Sequence, residues 1–194
     1  NPKLAIQYLE LADEMGDEKA ASLLGSIYLT GGESIKQDFN KALFWFHKSA
    51  EKYEDSYSQG QLAFLYSAAS ENDEIRDDVA SVYWANKASD QGSVQGKDHL
   101  AVSYQWGNGV IQDGNLAIKN LQEIIELGDS QQAINALKNI GYIYSNGFTN
   151  VNRDFQIAID FYKQAEELGD KESQFILGKI YLALDDYESA EKWL

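Results

Sequence analysis

Five tyrosines, Tyr28, Tyr66, Tyr104, Tyr144 and Tyr181, recur along the chain at intervals of 38, 38, 40 and 37 residues. Each closes the same apolar phrase: Leu24-Gly25-Ser26-Ile27-Tyr28, Leu62-Ala63-Phe64-Leu65-Tyr66, Leu100-Ala101-Val102-Ser103-Tyr104, Ile140-Gly141-Tyr142-Ile143-Tyr144 and Leu177-Gly178-Lys179-Ile180-Tyr181. Self-similarity at a period of 20–50 residues marks a solenoid, in which each unit buries its apolar face only against its neighbours. Such chains build surfaces rather than reaction centres.

A second series interleaves with the tyrosines: Ala5, Ala42, Ser81, Ala117, Ala158 and Ala190. Three residues after each stands Tyr8, Trp45, Trp84, Asn120, Phe161 or Trp193, and seven after stands Ala12, Ser49, Ala88, Ile124 or Ala165. Offsets of three and seven share one helix face. Small residues there admit a neighbouring helix, and the aromatic fills the adjacent gap.

The helix ends are marked as regularly. Four residues before each small position stands Asn1, Asp38, Asp77, Asp113, Asp154 or Asp186, side chains that accept from the unpaired amides of a helix start. Gly16, Gly92, Gly128 and Gly169 suit the left-handed position that ends a helix, and Tyr53 replaces glycine once, so that junction is expected to be built differently. Asp17, Asp129 and Asp170 follow the glycines and are expected to start the next helix.

These signals predict an all-α chain of antiparallel helix pairs. Helix A carries the tyrosine phrase and helix B the alanine–aromatic phrase, with helices over 2–15, 18–30, 39–53, 57–70, 78–91, 94–106, 114–127, 130–146, 155–168, 171–184 and 187–194. The acidic stretch 71–78 is an A-to-B loop. The interval from Gly128 to Tyr144 exceeds its counterparts by about one helical turn, which predicts a longer helix ending near Asn146. Only five residues separate Tyr181 from Asp186, which predicts a tight last turn. The repeats read as one domain over 1–194: a partial unit 1–16, repeats at about 17–53, 54–92, 93–128 and 129–169, and a final partial unit 170–194. Because neither end supplies a polar capping element, a longer parent solenoid is expected.

At 194 residues, 44% hydrophobic and 12% aromatic, the chain carries enough apolar surface for a sizeable core. Its net charge of −15 repels phosphate backbones and argues against nucleic acid. No apolar run approaches the roughly 18 residues needed to cross a bilayer, so no membrane insertion is expected. The absence of cysteine removes disulfide and thiolate chemistry and leaves cytoplasm, periplasm and secretion equally open for a soluble chain.

The phrase Leu-Gly-x-x-Tyr, then Gly-x-Gly-Val as in Gly107-Asn108-Gly109-Val110, then Asp-x-x-x-Ala-x-x-Trp and a terminal glycine, resembles the Sel-one-like repeat, a branch of the tetratricopeptide-type solenoids. The resemblance covers essentially the whole chain. It implies a right-handed α-solenoid acting as a non-enzymatic adaptor or scaffold for protein binding. It also implies that A helices line a concave groove. By that register the groove set is Tyr57, Phe64, Asp98, Val102, Gln105, Trp106, Lys138, Tyr142, Asn146, Phe175 and Lys179. Ser22, Ser26, Gly60 and Phe64 stand where carboxylate-binding tetratricopeptide grooves carry lysine and asparagine, so capture of an acidic peptide terminus is not expected. The expected partner is a protein with a basic or apolar surface. The alternative is a bacterial immunity protein that occludes a secreted toxin or effector.

No catalytic or cofactor motif emerges. His47 and His99 lack a zinc-type ligand set, there is no HExxH, GxSxG or GxxxxGK[ST] phrase, and Gly31-Gly32 and Gly107-Asn108-Gly109 follow helices where a phosphate loop follows a strand. The acidic stretch 71–78 lacks the spaced ligands and central glycine of a calcium loop. The chain therefore reads as a non-enzyme with neither metal nor cofactor.

Overall fold

The computed structural model describes residues 2–32, 34–67 and 75–194. Asn1 and the first half of the acidic stretch 71–78 lie outside the described residues, as do positions 68–70 at the expected end of the fourth helix. Among the described residues there are eleven helices and no strand: α1 (Pro2–Glu14), α2 (Ala20–Thr30), α3 (Phe39–Lys52), α4 (Ser56–Tyr66), α5 (Asp78–Asp90), α6 (Val94–Trp106), α7 (Gly114–Leu127), α8 (Ser130–Asn146), α9 (Phe155–Glu167), α10 (Lys171–Ala183) and α11 (Tyr187–Trp193). The chain divides into two compact units, Asn1–His99 and Leu100–Leu194.

The aspartates start the B helices as expected. Asp38 accepts from the Lys41 N–H, Asp77 from Val79 and Ala80, Asp113 from Asn115 and Leu116, Asp154 from Gln156 and Ile157, and Asp186 from Ser189. Asp129 forms a full capping box with Gln132 at the head of α8, whose 17 residues make it the long helix that the spacing predicts. Asp170 caps α10 through the Ser173 N–H. Asp17 departs from the pattern: it accepts from Lys19, and α2 begins only at Ala20.

The glycine stops divide into two kinds. Gly16, Gly92 and Gly169 adopt φ of +91°, +79° and +98°, the left-handed stop that the sequence predicts. Gly128 does not; its φ is −81°. There the constraint is space, since an added Cβ would lie 2.8 Å from the Ile124 carbonyl oxygen and 2.9 Å from the Gln132 side chain. At the glycine-free junction the left-handed residue is Glu54, at φ +54°.

Within the first unit, α2 lies so close to α3 that a Cβ on Gly25 would meet the Phe46 ring at 2.7 Å. Ser81 of α5 is buried and donates through Oγ to the Ala63 carbonyl of α4 at 2.7 Å. In the second unit a Cβ on Gly141 of α8 would meet the Tyr162 ring of α9 at 2.8 Å, and one on Gly178 of α10 would meet Leu194 at 2.6 Å. Ala158, Ile159, Tyr162, Leu177 and Ile180 form a buried cluster there, walled by Tyr144, Tyr181 and Trp193. Burial pushes the Tyr162 phenol up to about 12. Of the small series, Ala42, Ser81, Ala117, Ala158 and Ala190 are buried, whereas Ala5 and Tyr8 on α1 are exposed.

Candidate functional site: an exposed aromatic cluster in the second unit

Val102 and Trp106 stand four residues apart on α6, and Asn135, Lys138, Tyr142 and Asn146 step along α8 at three- and four-residue intervals. The residues at these positions share a helix face. Trp106 is 53% exposed and Tyr142 40% exposed.

Phe148, which no helical register contains, joins the two rings. It follows Gly147 (φ +72°) in the loop after α8. Phe148 and Val151 exchange both backbone hydrogen bonds, at 2.9 and 2.8 Å, around Asn150 at φ +67°. The turn is stapled to the start of α7: the Gly114 N–H donates to the Thr149 carbonyl, Thr149 Oγ1 to Gln112 Oε1, Asn115 Nδ2 to the Asn150 carbonyl and Asn150 Nδ2 to Asp113. So held, the Phe148 ring lies edge-to-face with Trp106, at 5.6 Å and 80°, and tilted to Tyr142, at 5.9 Å and 54°, both at centroid distances where aromatic pairs attract. The three rings form one cluster with two exposed members.

Around α8 and α10 the surface turns ionic. Lys138 pairs with Asp170 at 3.5 Å and, more closely, with Glu172. Burial works against the charges at both Lys138 and Asp170. Hydrogen bonds and the paired charges overcome it, raising the lysine above its ordinary value and leaving the aspartate, which also accepts from Ser173, below the usual carboxylate range. Phe175 and Lys179 are exposed on α10 with the ammonium 4.7 Å from the ring centroid.

Other residues of the expected groove set fall elsewhere. Gln105 is only 6% exposed. It stands four residues after the buried Ala101 and so shares the packed face, and its backbone carbonyl accepts from the Gln112 side-chain amide. In the first unit, the exposed Tyr57 bonds Ser26 through its hydroxyl and packs edge-on to Phe46. Phe64 is half-buried with its ring 6.4 Å from His99, and Asp98 is exposed. His47 has both nitrogens engaged, by Glu51 at 2.9 Å and the Tyr66 hydroxyl at 2.8 Å. Among the described residues no set of three or more metal-ligating side chains converges, and no helix is long and apolar enough to cross a membrane.

The repeats match known proteins over most of their length. The Sel1 repeat family model matches residues 1–17, 18–53, 56–93, 99–129 and 134–170. The chain is 28% identical over 165 residues to the Sel1-repeat-containing protein YjcO of Escherichia coli, covering 84% of this chain and 66% of that protein, so it spans just under two thirds of that relative. It is 23% identical over 184 residues to the ERAD-associated E3 ubiquitin-protein ligase component HRD3A of Arabidopsis thaliana, covering 91% of this chain and 26% of that protein. Among solved structures, a Sel1 repeat protein from Oxalobacter formigenes superposes with a TM-score of 0.70 at 25% identity, over all of this chain and 77% of that one. With its repeats matched over most of its residues, the chain belongs to the Sel1 repeat family.

Proposed function

We propose that the chain is a non-enzymatic adaptor that holds a protein partner against the ring cluster of Trp106, Phe148 and Tyr142. Sel1 repeat proteins generally mediate protein–protein interaction, which sets the class of partner. The observation that carries the reading is the cluster itself, two exposed aromatic side chains locked by a third whose loop is bonded to the next helix. Anchors of protein interfaces are commonly rigid aromatics that bury large area at small entropic cost. Val102, one turn from Trp106, extends the apolar area, and the net charge of −15 favours a partner whose contact surface is basic around an apolar centre.

Calorimetry against the natural partner tests the reading. Trp106→Ala combined with Phe148→Ala is expected to weaken binding by at least about 2 kcal/mol, with helicity unchanged by circular dichroism. Added salt is expected to remove part of the wild-type affinity and leave a salt-insensitive remainder from the rings. Affinity within error of wild type for the double variant would assign the contact to another face.

A further inference from the structure

The junction at which Tyr53 and Glu54 replace the usual glycine borders a second candidate site, in the first unit. Between α3 and α5, against the start of α4, lies a cavity of about 460 Å³ whose lining includes Glu51, Glu54, Gln59, Tyr83, Trp84 and Gln91. Gln91 spends both amide hydrogens inside the protein, one on the Glu54 carbonyl at 2.8 Å and one on Gln59 Oε1 at 2.9 Å. Its own carbonyl oxygen therefore remains an acceptor. Gln59 is 2% exposed, and with its oxygen accepting from Gln91 its amide nitrogen is left to act as a donor. The two glutamines thus offer one donor and one acceptor, the complement of a peptide group.

The walls define what accompanies that peptide group. Tyr83 and Trp84 stand 5.0 Å apart at 80°, two sides of an aromatic corner. Trp84 is buried and braced by the His47 ring at 5.3 Å, while Tyr83 is exposed. Lys87 places its ammonium 5.9 Å from the Tyr83 centroid, so one face of that ring already receives a cation. Glu51 is committed to His47, which leaves the carboxylates of Glu54 and Asp90 at the rim. Glu54 is held at φ +54°, a conformation that disfavours any residue with a Cβ, at a junction where sibling repeats use glycine.

We infer that this cleft binds a basic side chain of an extended peptide segment. The guanidinium or ammonium meets Glu54 and Asp90, its stem lies along Tyr83 and Trp84, and the adjoining peptide group pairs with Gln59 and Gln91. The inference is independent of the aromatic cluster in the second unit.

The test uses the whole chain, isotope-labelled, titrated at about 150 mM salt so that long-range attraction is screened. The probe is acetyl-Ala-Arg-Ala-amide, and its comparison is the same peptide with citrulline, which replaces the guanidinium by a neutral urea. The Trp84 indole N–H and the side-chain amides of Gln59 and Gln91 are expected to shift saturably with the arginine peptide and not with the citrulline one. Glu54→Gln and Tyr83→Ala alter exposed side chains and leave the fold intact, and each is expected to weaken binding at least about tenfold, the scale of one lost charge-assisted contact. Trp106→Ala is expected to leave this binding unchanged, so failure here and failure of the adaptor reading are read separately. Equal response to both peptides, non-saturating shifts spread over the acidic surface, or a silent Trp84 would each overturn the inference.

Discussion

The backbone N–H of Asp154 donates to the carbonyl of Tyr144 at 2.8 Å, joining the residue that opens helix α9 to the tyrosine near the end of α8. The same bond recurs in every A-to-B connection: Asp38 to Tyr28 at 2.9 Å, Asp77 to Tyr66 at 2.8 Å, Asp113 to Tyr104 at 2.9 Å and Asp186 to Tyr181 at 3.0 Å. The repeated tyrosine and the repeated aspartate are thus two ends of one device. The aspartate's amide closes the pair and its carboxylate starts the next helix.

Asp154→Ala removes the carboxylate that accepts from Gln156 and Ile157 but keeps the amide that bonds Tyr144. The expected loss is about 0.5–2 kcal/mol in denaturant unfolding, the usual range for a deleted N-cap. Asp154→Asn is expected to cost less, because asparagine caps almost as well. Equal losses for the two variants would show that charge, not the hydrogen bond, matters at this position.

Gly141→Leu is expected to destabilise the second unit by about 1–3 kcal/mol, the range for overpacking a close-packed contact. Its side chain would start 2.8 Å from the buried Tyr162 ring. The intrinsic helix preference of leucine over glycine, up to about 1 kcal/mol, opposes this and sets a lower bound on the packing effect. A melting temperature raised above wild type, the sign of helix preference acting alone, would place that face in solvent.

His99 gives the first unit an acid sensitivity. Burial lowers its pKa below the ordinary 6.5, with Asp98 pulling the other way. The unfolded chain therefore binds more protons than the folded one below pH 6.5, and stability falls as pH drops from 6.5 through the lower folded value. His99→Gln is expected to flatten this part of the stability–pH curve, measured by urea unfolding between pH 7.5 and 5. An unchanged slope would assign the titration to other groups.

Asp170 carries a further acid dependence. Its folded pKa is depressed, so its contribution is present above the unfolded value of 3.8 and is lost as pH falls through the folded one. Asp170→Asn is expected to lose stability at neutral pH by about 0.5–2 kcal/mol as a weakened cap and lost partner of Lys138, and to lose less than wild type on acidification below pH 4. Parallel curves for the two proteins would refute that assignment.

The helices, their caps and the long α8 were legible in the sequence because each depends on local chemistry repeated at a fixed spacing. Asp113, Gly169 and Gly178 act through their own turn or one crossing, so type and position suffice. Gln105 was misplaced because a count from Tyr104 locates it beside the groove, while its distance of four from Ala101 locates it on the packed face. Phe148 escaped for a different reason. It belongs to a loop, obeys no helical period, and reaches Trp106 only through a turn whose bonds to α7 are not local in sequence. Tyr142 and Trp106 could be placed on exposed helix faces by counting, because they sit on helices. The residue that joins them could not.

Closure by the tyrosine carbonyl and aspartate amide holds whether five residues separate them, as in Tyr181 to Asp186, or ten, as in Tyr144 to Asp154. The loop residues between these two posts are thereby released from any single length. The segment bearing Phe148 can therefore differ in length from its counterparts without moving the two helix ends that this bond ties together, while its own bonds to α7 fix where the ring stands. Helix spacing and loop length are thus governed by separate contacts, one at the two posts and one within the loop.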